Sequence, residues 1–202
     1  MVDTPDRQRR AEWFDRVCRD VHDRLSGLDD GEPAAYIPEL ARVDPDRFAI
    51  AGATTDGELT VFGDHDHPFT IQSISKPFMY GLALRLLSPS YMERKVGVEP
   101  SGDAFNAISL DPHTGIPRNP MINAGAIASA GLIAGKTPQI RLKRVMDMMS
   151  LYAGRELELD ETVYNSENET GHRNRAIGHM LRNFNILTSD PTPVVELYFK
   201  QC

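Results

Sequence analysis

One proline constrains this chain more tightly than any other residue. From Phe69 the sequence runs FTIQSISKPFMYGLALRL, and Phe78, Leu82 and Leu86 recur at the spacing of a single helix face. Pro77 stands at the head of that pattern. Proline lacks an N–H and clashes with the preceding turn, so it is tolerated only in a first turn, where N–H groups have no intrahelical acceptor. A helix over residues 73–87 therefore begins between Ser73 and Ser75. That start sets Ser73 three residues before Lys76 on one face, with Cβ atoms about 5–6 Å apart.

The residues before this helix follow a different period. FAIAGATTDGELTVFGD places two β-rich runs around Asp56-Gly57, a strong turn signal, and predicts a hairpin over residues 47–64. Phe69-Thr70-Ile71 keeps a period of two, so a strand is expected to lead into the Ser73 helix. Further upstream, Thr4-Pro5 reads as a cap and first helical position. Phe14, Val17, Cys18, Val21, Leu25 and Leu28 then repeat at helical spacing until Gly27 and DDGEP. Residues 1–30 are thus an N-terminal helix, with Cys18 a small buried hydrophobe on its apolar stripe.

Everything after residue 88 reads as helix and connecting loop. NPMINAGAIASAGLIAG opens with Asn119-Pro120 as cap and first position, and its small residues suit close helix packing. Thr137-Pro138 opens a helix through Ile140, Val145, Met149 and Tyr152 that Gly154 closes. Asp160 caps a short helix over ETVYNSE, and Ala176, Ile177, Met180, Leu181 and Phe184 mark another. DPTPVVELYFKQC is amphipathic after its turn residues and stops at Cys202 without a capping signal. A lone hairpin is a poor sheet, since three or more strands or a covering helix are usually needed. The expectation is therefore an α+β chain that belongs to something longer or is completed by another chain.

Composition narrows the function classes. With 22 Lys+Arg against 29 Asp+Glu, the formal charge is −7, which argues against nonspecific binding to nucleic acid or to a membrane surface. Hydrophobic residues make up 41%, enough for a packed core. The N-terminus carries charges throughout and has no apolar core of a signal peptide, and no stretch is long and apolar enough to span a bilayer. Two cysteines, Cys18 and Cys202, give no disulfide framework and no metal motif. The expectation is a reduced, cytoplasmic, soluble protein.

Several motifs bear chemistry. A lysine at the Ser73–Lys76 spacing can take the serine proton if burial lowers its pKa, and Ile71, Ile74, Phe78 and Met79 supply apolar walls for that. A helix start adds free N–H groups that polarise a carbonyl. Read alone, the pair is a cap and a solvated lysine as readily as a catalytic dyad. DHDHPF, with His65 and His67 around Asp66, lacks the further ligands a metal needs and reads as a polar loop. Met146, Met148 and Met149 read as core filler, and EPSGDAFN as an ordinary loop. Asn119 and Asn123, four apart, project from one face of a helix start, where buried amides need partners. YNSENETGHRNR, with Asn165, Glu167, Asn168, Asn174 and Arg175, reads as a solvated interhelical loop unless a ligand orders it.

Taken together, IQSISK, GVEPSGDAFN, NPMINAGAI and YNSENETGHRNRAI resemble, in order and spacing, the successive signatures of the serine-dependent glutaminases, whose fold is β-lactamase-like. YIPELARVDPDRFAIA is similar to that family's N-terminal region, so the resemblance covers the chain from about Gly31 to Cys202. It implies an α+β fold of the β-lactamase and penicillin-binding-protein type. The first strands of the antiparallel sheet would lie in the hairpin at 47–64 and a helical subdomain would span 88–202, all within a catalytic region over 31–202. It implies hydrolysis of L-glutamine to L-glutamate and ammonia through an acyl-enzyme on Ser73, with Lys76 as partner base and Tyr198 as the first of two functional tyrosines. Asn123, Glu167 and Asn174, with Ser73 and Tyr198, match the residues that bind substrate. No metal or organic cofactor is implied. The partners implied are the small-molecule substrate L-glutamine and further copies of the chain, as a dimer or tetramer, with neither nucleic acid nor membrane. Further strands, the second tyrosine and a glycine-rich strand that completes the oxyanion hole belong beyond Cys202 in that family. Two other readings keep the motif: a penicillin-recognising Ser-x-x-Lys hydrolase, for which NPMINAG stands where a Ser-Asp-Asn-like element is expected, and a fragment that binds glutamine or glutamate without turnover.

Overall fold

The computed structural model describes residues 4–202, which divide into two compact units, one up to Phe69 and one over Thr70–Cys202. The cap expected at Thr4-Pro5 depends on side chains outside the described residues.

In the first unit, helix α1 (Thr4–Leu25) packs on an antiparallel pair, β1 (Ala49–Ala53) and β2 (Leu59–Gly63). The register pairs Ala49 with Gly63 and Ala53 with Leu59. Gly57, at φ +87°, makes the turn that Asp56-Gly57 predicts. Cys18 is buried, and His22 stacks between Phe48 and Phe62 at ring distances of 5.6 and 6.0 Å. Arg7 ties the helix to the hairpin through Glu58, at 2.8 Å. DHDHPF is an exposed loop, as expected.

The second unit is helical: α2 (Ser75–Leu86), α3 (Pro89–Glu93), α4 (Asn123–Gly131), α5 (Pro138–Ala153), α6 (Glu161–Thr170), α7 (His172–Asn183) and α8 (Pro191–Gln201). Helix α4 lies at its centre, against α2, α7 and α8. Every residue from Asn123 to Ala130 is buried, because the Ala, Gly and Ser side chains let the neighbouring helices approach closely. Ile127, Met79, Val145, Leu181, Val194 and Phe199 fill the surrounding core, and Met148 and Met149 join it while Met146 is half-buried.

Local chemistry sets the helix ends. Thr137 accepts the Ile140 N–H, and Gly154 closes α5 in the left-handed conformation. Asp160 accepts the N–H groups of Thr162 and Val163. Pro77 is the third residue of α2, inside its first turn, and a single 3₁₀ turn (Gln72–Ile74) carries Ser73 just ahead of it.

Three expectations fail. Phe69-Thr70-Ile71 is not a strand: Phe69 is exposed, and Gln72 turns the chain at φ +45°. Asn119-Pro120 does not open α4. The Asn119 side chain accepts the Met121 N–H at 3.0 Å and donates to the Glu99 carbonyl at 3.0 Å, forming a turn that delays the helix to Asn123. Asn119 and Asn123 therefore do not share a helix face. YNSENETGHRNR is not a loop but the meeting of α6 and α7 at Gly171. A Cβ on Gly171 would stand 2.3 Å from the Phe199 ring, so only glycine lets the α6–α7 corner close against α8.

Candidate active site

The site lies within the second unit and grows from the first turn of α2. Lys76 is 1% exposed, although it is a residue almost never buried without a partner. Its Nζ donates to Asn123 Oδ1 at 2.8 Å and to the Met121 carbonyl at 3.1 Å, and lies 5.3 Å from the centre of the Phe105 ring. An ammonium has three donors, so one more acceptor can be served. Burial lowers the lysine pKa, and the nearby Cys202 and Glu167 oppose that shift.

Asn123 extends this contact into a chain. Its Nδ2 donates to Asn174 Oδ1 at 3.1 Å, so α2, α4 and α7 are joined by three side chains in series. The remaining main-chain N–H of Asn123 is taken by the Phe105 carbonyl at 2.9 Å, which brings the EPSGDAFN loop to the site.

Glu167 reaches the same place from α6. It is 6% exposed, and its Oε2 has no hydrogen-bond partner among the described residues. Burial pushes its carboxyl up to about 7, with Lys76 pulling the other way. A buried carboxyl with an unpartnered oxygen beside a buried lysine is a poor arrangement for stability, and such perturbed pairs cluster at functional sites.

Tyr198, on α8, is buried against Phe199 at a ring distance of 5.9 Å. It contacts the Cys202 thiol, as does Ser75, and burial pushes that thiol well above its ordinary range. Ser73 stands apart in exposure. It faces solvent on the 3₁₀ turn, and among the described residues no hydrogen bond joins its Oγ to Lys76. The preceding Gln72, a non-glycine at φ +45°, holds a conformation that costs roughly 1–3 kcal/mol and persists only where its surroundings impose it.

Of the residues singled out from the sequence, Lys76, Asn123 and Asn174 are joined by hydrogen bonds. Glu167 lies within electrostatic range of Lys76, and Tyr198 adjoins through Cys202. Ser73 is placed three residues ahead of Lys76 on the exposed turn. Sequence reasoning missed Phe105, Ser75, Gln201 and Cys202. Ser75 sits inside the quoted motif, but nothing in its spacing marks it as buried. Among the described residues, no group of three or more His, Cys, Asp or Glu side chains is placed to hold a metal ion.

Residues 31–202 match the family model described as Glutaminase. The chain belongs to the glutaminase family. The glutaminase of Nostoc sp. is 48% identical over 187 residues, which cover 93% of this chain and 56% of the Nostoc protein. The crystal structure of Mglu in its glutamate form matches with a TM-score of 0.86 at 43% identity, over 93% of this chain and 44% of that one. A structure described as the probable glutaminase ybaS matches with a TM-score of 0.89 at 34% identity, over 93% and 61%. This glutaminase-family chain spans about half the length of the curated relatives it matches. Its helical body and antiparallel strand pair are the α+β, β-lactamase-like arrangement of those neighbours.

Proposed function

We propose that this chain carries the nucleophile and the substrate-holding groups of an enzyme that hydrolyses L-glutamine to L-glutamate and ammonia. The observation that supports this best is the buried Lys76–Asn123–Asn174 chain beside the unpartnered Glu167 Oε2. Glutamine presents an α-ammonium, an α-carboxylate and a carboxamide. Glu167 suits the ammonium, whose arrival would draw its carboxyl toward the charged form. The Asn123 and Asn174 amides can donate to the carboxylate and accept from the ammonium.

In this reading Ser73 Oγ attacks the carboxamide carbon and its proton passes to Lys76, whose lowered pKa favours the neutral amine that can accept it. Tyr198 relays a proton to the departing nitrogen, ammonia leaves, and a γ-glutamyl ester remains on Ser73. Water then cleaves the ester and returns the proton to the Ser73 oxygen. Residues 31–202 would form the catalytic region and residues 1–30 an N-terminal helix. The protein would work in the cytoplasm as a homo-oligomer, dimer or tetramer, which light scattering can count. No helix among the described residues is long and apolar enough to cross a membrane.

Ammonia release from glutamine, measured for the protein and for Ser73→Ala, tests the reading. Turnover in the first and its loss in the second is the expected result, and equal turnover would remove Ser73 from the mechanism. Stable acylation of Ser73 by a β-lactam without any response to glutamine would favour a penicillin-recognising hydrolase. Calorimetric binding of glutamate without ammonia release would favour a binding role.

A further inference from the structure

The strained turn before Ser73 is held at both of its main-chain groups. The Gln72 N–H donates to the Cys202 carbonyl at 2.8 Å, and the Gln72 carbonyl accepts the Ser75 hydroxyl at 2.7 Å. The Ser75 oxygen in turn accepts the Gln201 side-chain N–H at 3.2 Å. Ser75 is 0% exposed and Gln201 4% exposed, so the bond between their side chains is buried. Gln201 and Cys202 end α8, three and four residues after Tyr198. The start of α2 and the end of α8, 126 positions apart in sequence, are thereby fastened at the residue that precedes Ser73.

We propose that Ser75 and Gln201 are positioning residues, which hold the Gln72–Ser73 turn in register with Lys76 and Tyr198 so that the Ser73 hydroxyl meets an electrophile at a fixed angle. The inference rests on the reading of Ser73 as nucleophile, and neither residue touches the reacting atoms. The Ser75 hydroxyl faces inward, to the Gln72 carbonyl, the Gln201 amide and the Cys202 thiol. Removing it takes the side-chain donor from the Gln72 carbonyl, which keeps only the Ser75 main-chain N–H, and takes from the Gln201 Nε2 its acceptor. The Gln201 Oε1 already has none among the described residues. A buried amide unpartnered at both ends does not stay where it is. Its displacement carries the adjoining Cys202 carbonyl, and with it the other anchor of Gln72. The turn is then held less firmly in its left-handed conformation, and Ser73 loses its fixed direction.

The test uses a fluorophosphonate probe, which forms an O–P bond to an activated serine as fluoride leaves and the hydroxyl proton passes to a base. Labelling at Ser73 is followed by intact mass and peptide mapping, over a range of probe concentrations. The expected result is saturable labelling of the unsubstituted protein. In Ser75→Ala and Gln201→Met the limiting rate should fall about tenfold to a hundredfold, as misplacement of a reacting group predicts. The half-saturating concentration should stay within about twofold, because binding is not what the clamp controls. A merely structural role would reduce the labelled fraction or the melting temperature without slowing the folded molecules. If Ser75→Ala does not fold, Gln201→Met, which keeps the side-chain length and removes the amide, decides alone. Unchanged limiting rates in the folded variants, or no labelling of Ser73 in the unsubstituted protein, would overturn the proposal. Ammonia release measured on the same samples keeps the two readings apart. Slowed labelling without glutamine turnover in any sample sinks the substrate assignment and leaves the clamp standing.

Discussion

Glu167 shows what burial does to a single carboxyl. Its pKa is raised from the ordinary 4.5 to about 7. Between those values the folded chain holds the proton more tightly than the unfolded chain, so this residue's contribution to stability falls as pH rises. The loss across the whole interval is at most about 3 kcal/mol. Glu167→Gln, which cannot ionise, should therefore gain on the unsubstituted protein between about pH 5 and about pH 8 in urea unfolding. A difference that does not change with pH would show that the carboxyl is not held neutral. Lys76 works in the opposite direction, pulling the Glu167 pKa down. In Lys76→Met the carboxyl should titrate at a higher pH still, which a carbon-detected NMR titration of Glu167 would read directly. No movement, or a downward one, would show that the two groups do not sense each other.

At the scale of elements, the ends of helices carry the most localised energies. Asp160→Ala removes the acceptor of two N–H groups at the start of α6 and should cost about 1 kcal/mol in urea unfolding. Gly171→Ala sets a methyl group 2.3 Å from the Phe199 ring and 2.8 Å from the Glu167 carbonyl. It should cost about 1–3 kcal/mol as overpacking and weaken glutamate binding, since Glu167 and Asn174 flank that corner. Stability lost with binding intact would mean that the corner does not set their positions. The elements legible in the sequence were those whose signals are local. Thr137, Gly154 and Asp160 cap within their own turn, Asp56-Gly57 turns within four residues, and Pro77 limits its own helix. The start of α4 is not legible locally because its deciding acceptors, the Glu99 and Phe105 carbonyls, come from a distant loop. The polar α6–α7 run looked like loop because its helical order depends on packing against α8. In the site, the motif residues were visible by resemblance, whereas the Ser75–Gln201 bond joins positions too far apart for any spacing rule to connect.

The whole molecule has an uneven architecture. The second unit holds the contiguous core, and the first is a helix on a strand pair. Residues 26–36 are exposed throughout, with turn or no regular structure. A nonspecific protease at low concentration should make its first cuts there, as intact mass would show, and leave α4 to α8 undigested. First cuts inside that helical body would contradict this ranking. Helix α4 adds a consequence of another kind. Between Asn123 and Ala130 its buried side chains are Ala, Gly and Ser apart from Asn123 and Ile127. Nearly every replacement there is an enlargement, so the helix has almost no mutational tolerance. In a library randomised at α4, the survivors should be swaps among the smallest residues, whatever happens at the surrounding positions. The helix acts as a spacer of fixed thickness, and a thickness, unlike a contact, has no partner whose change could compensate for its own.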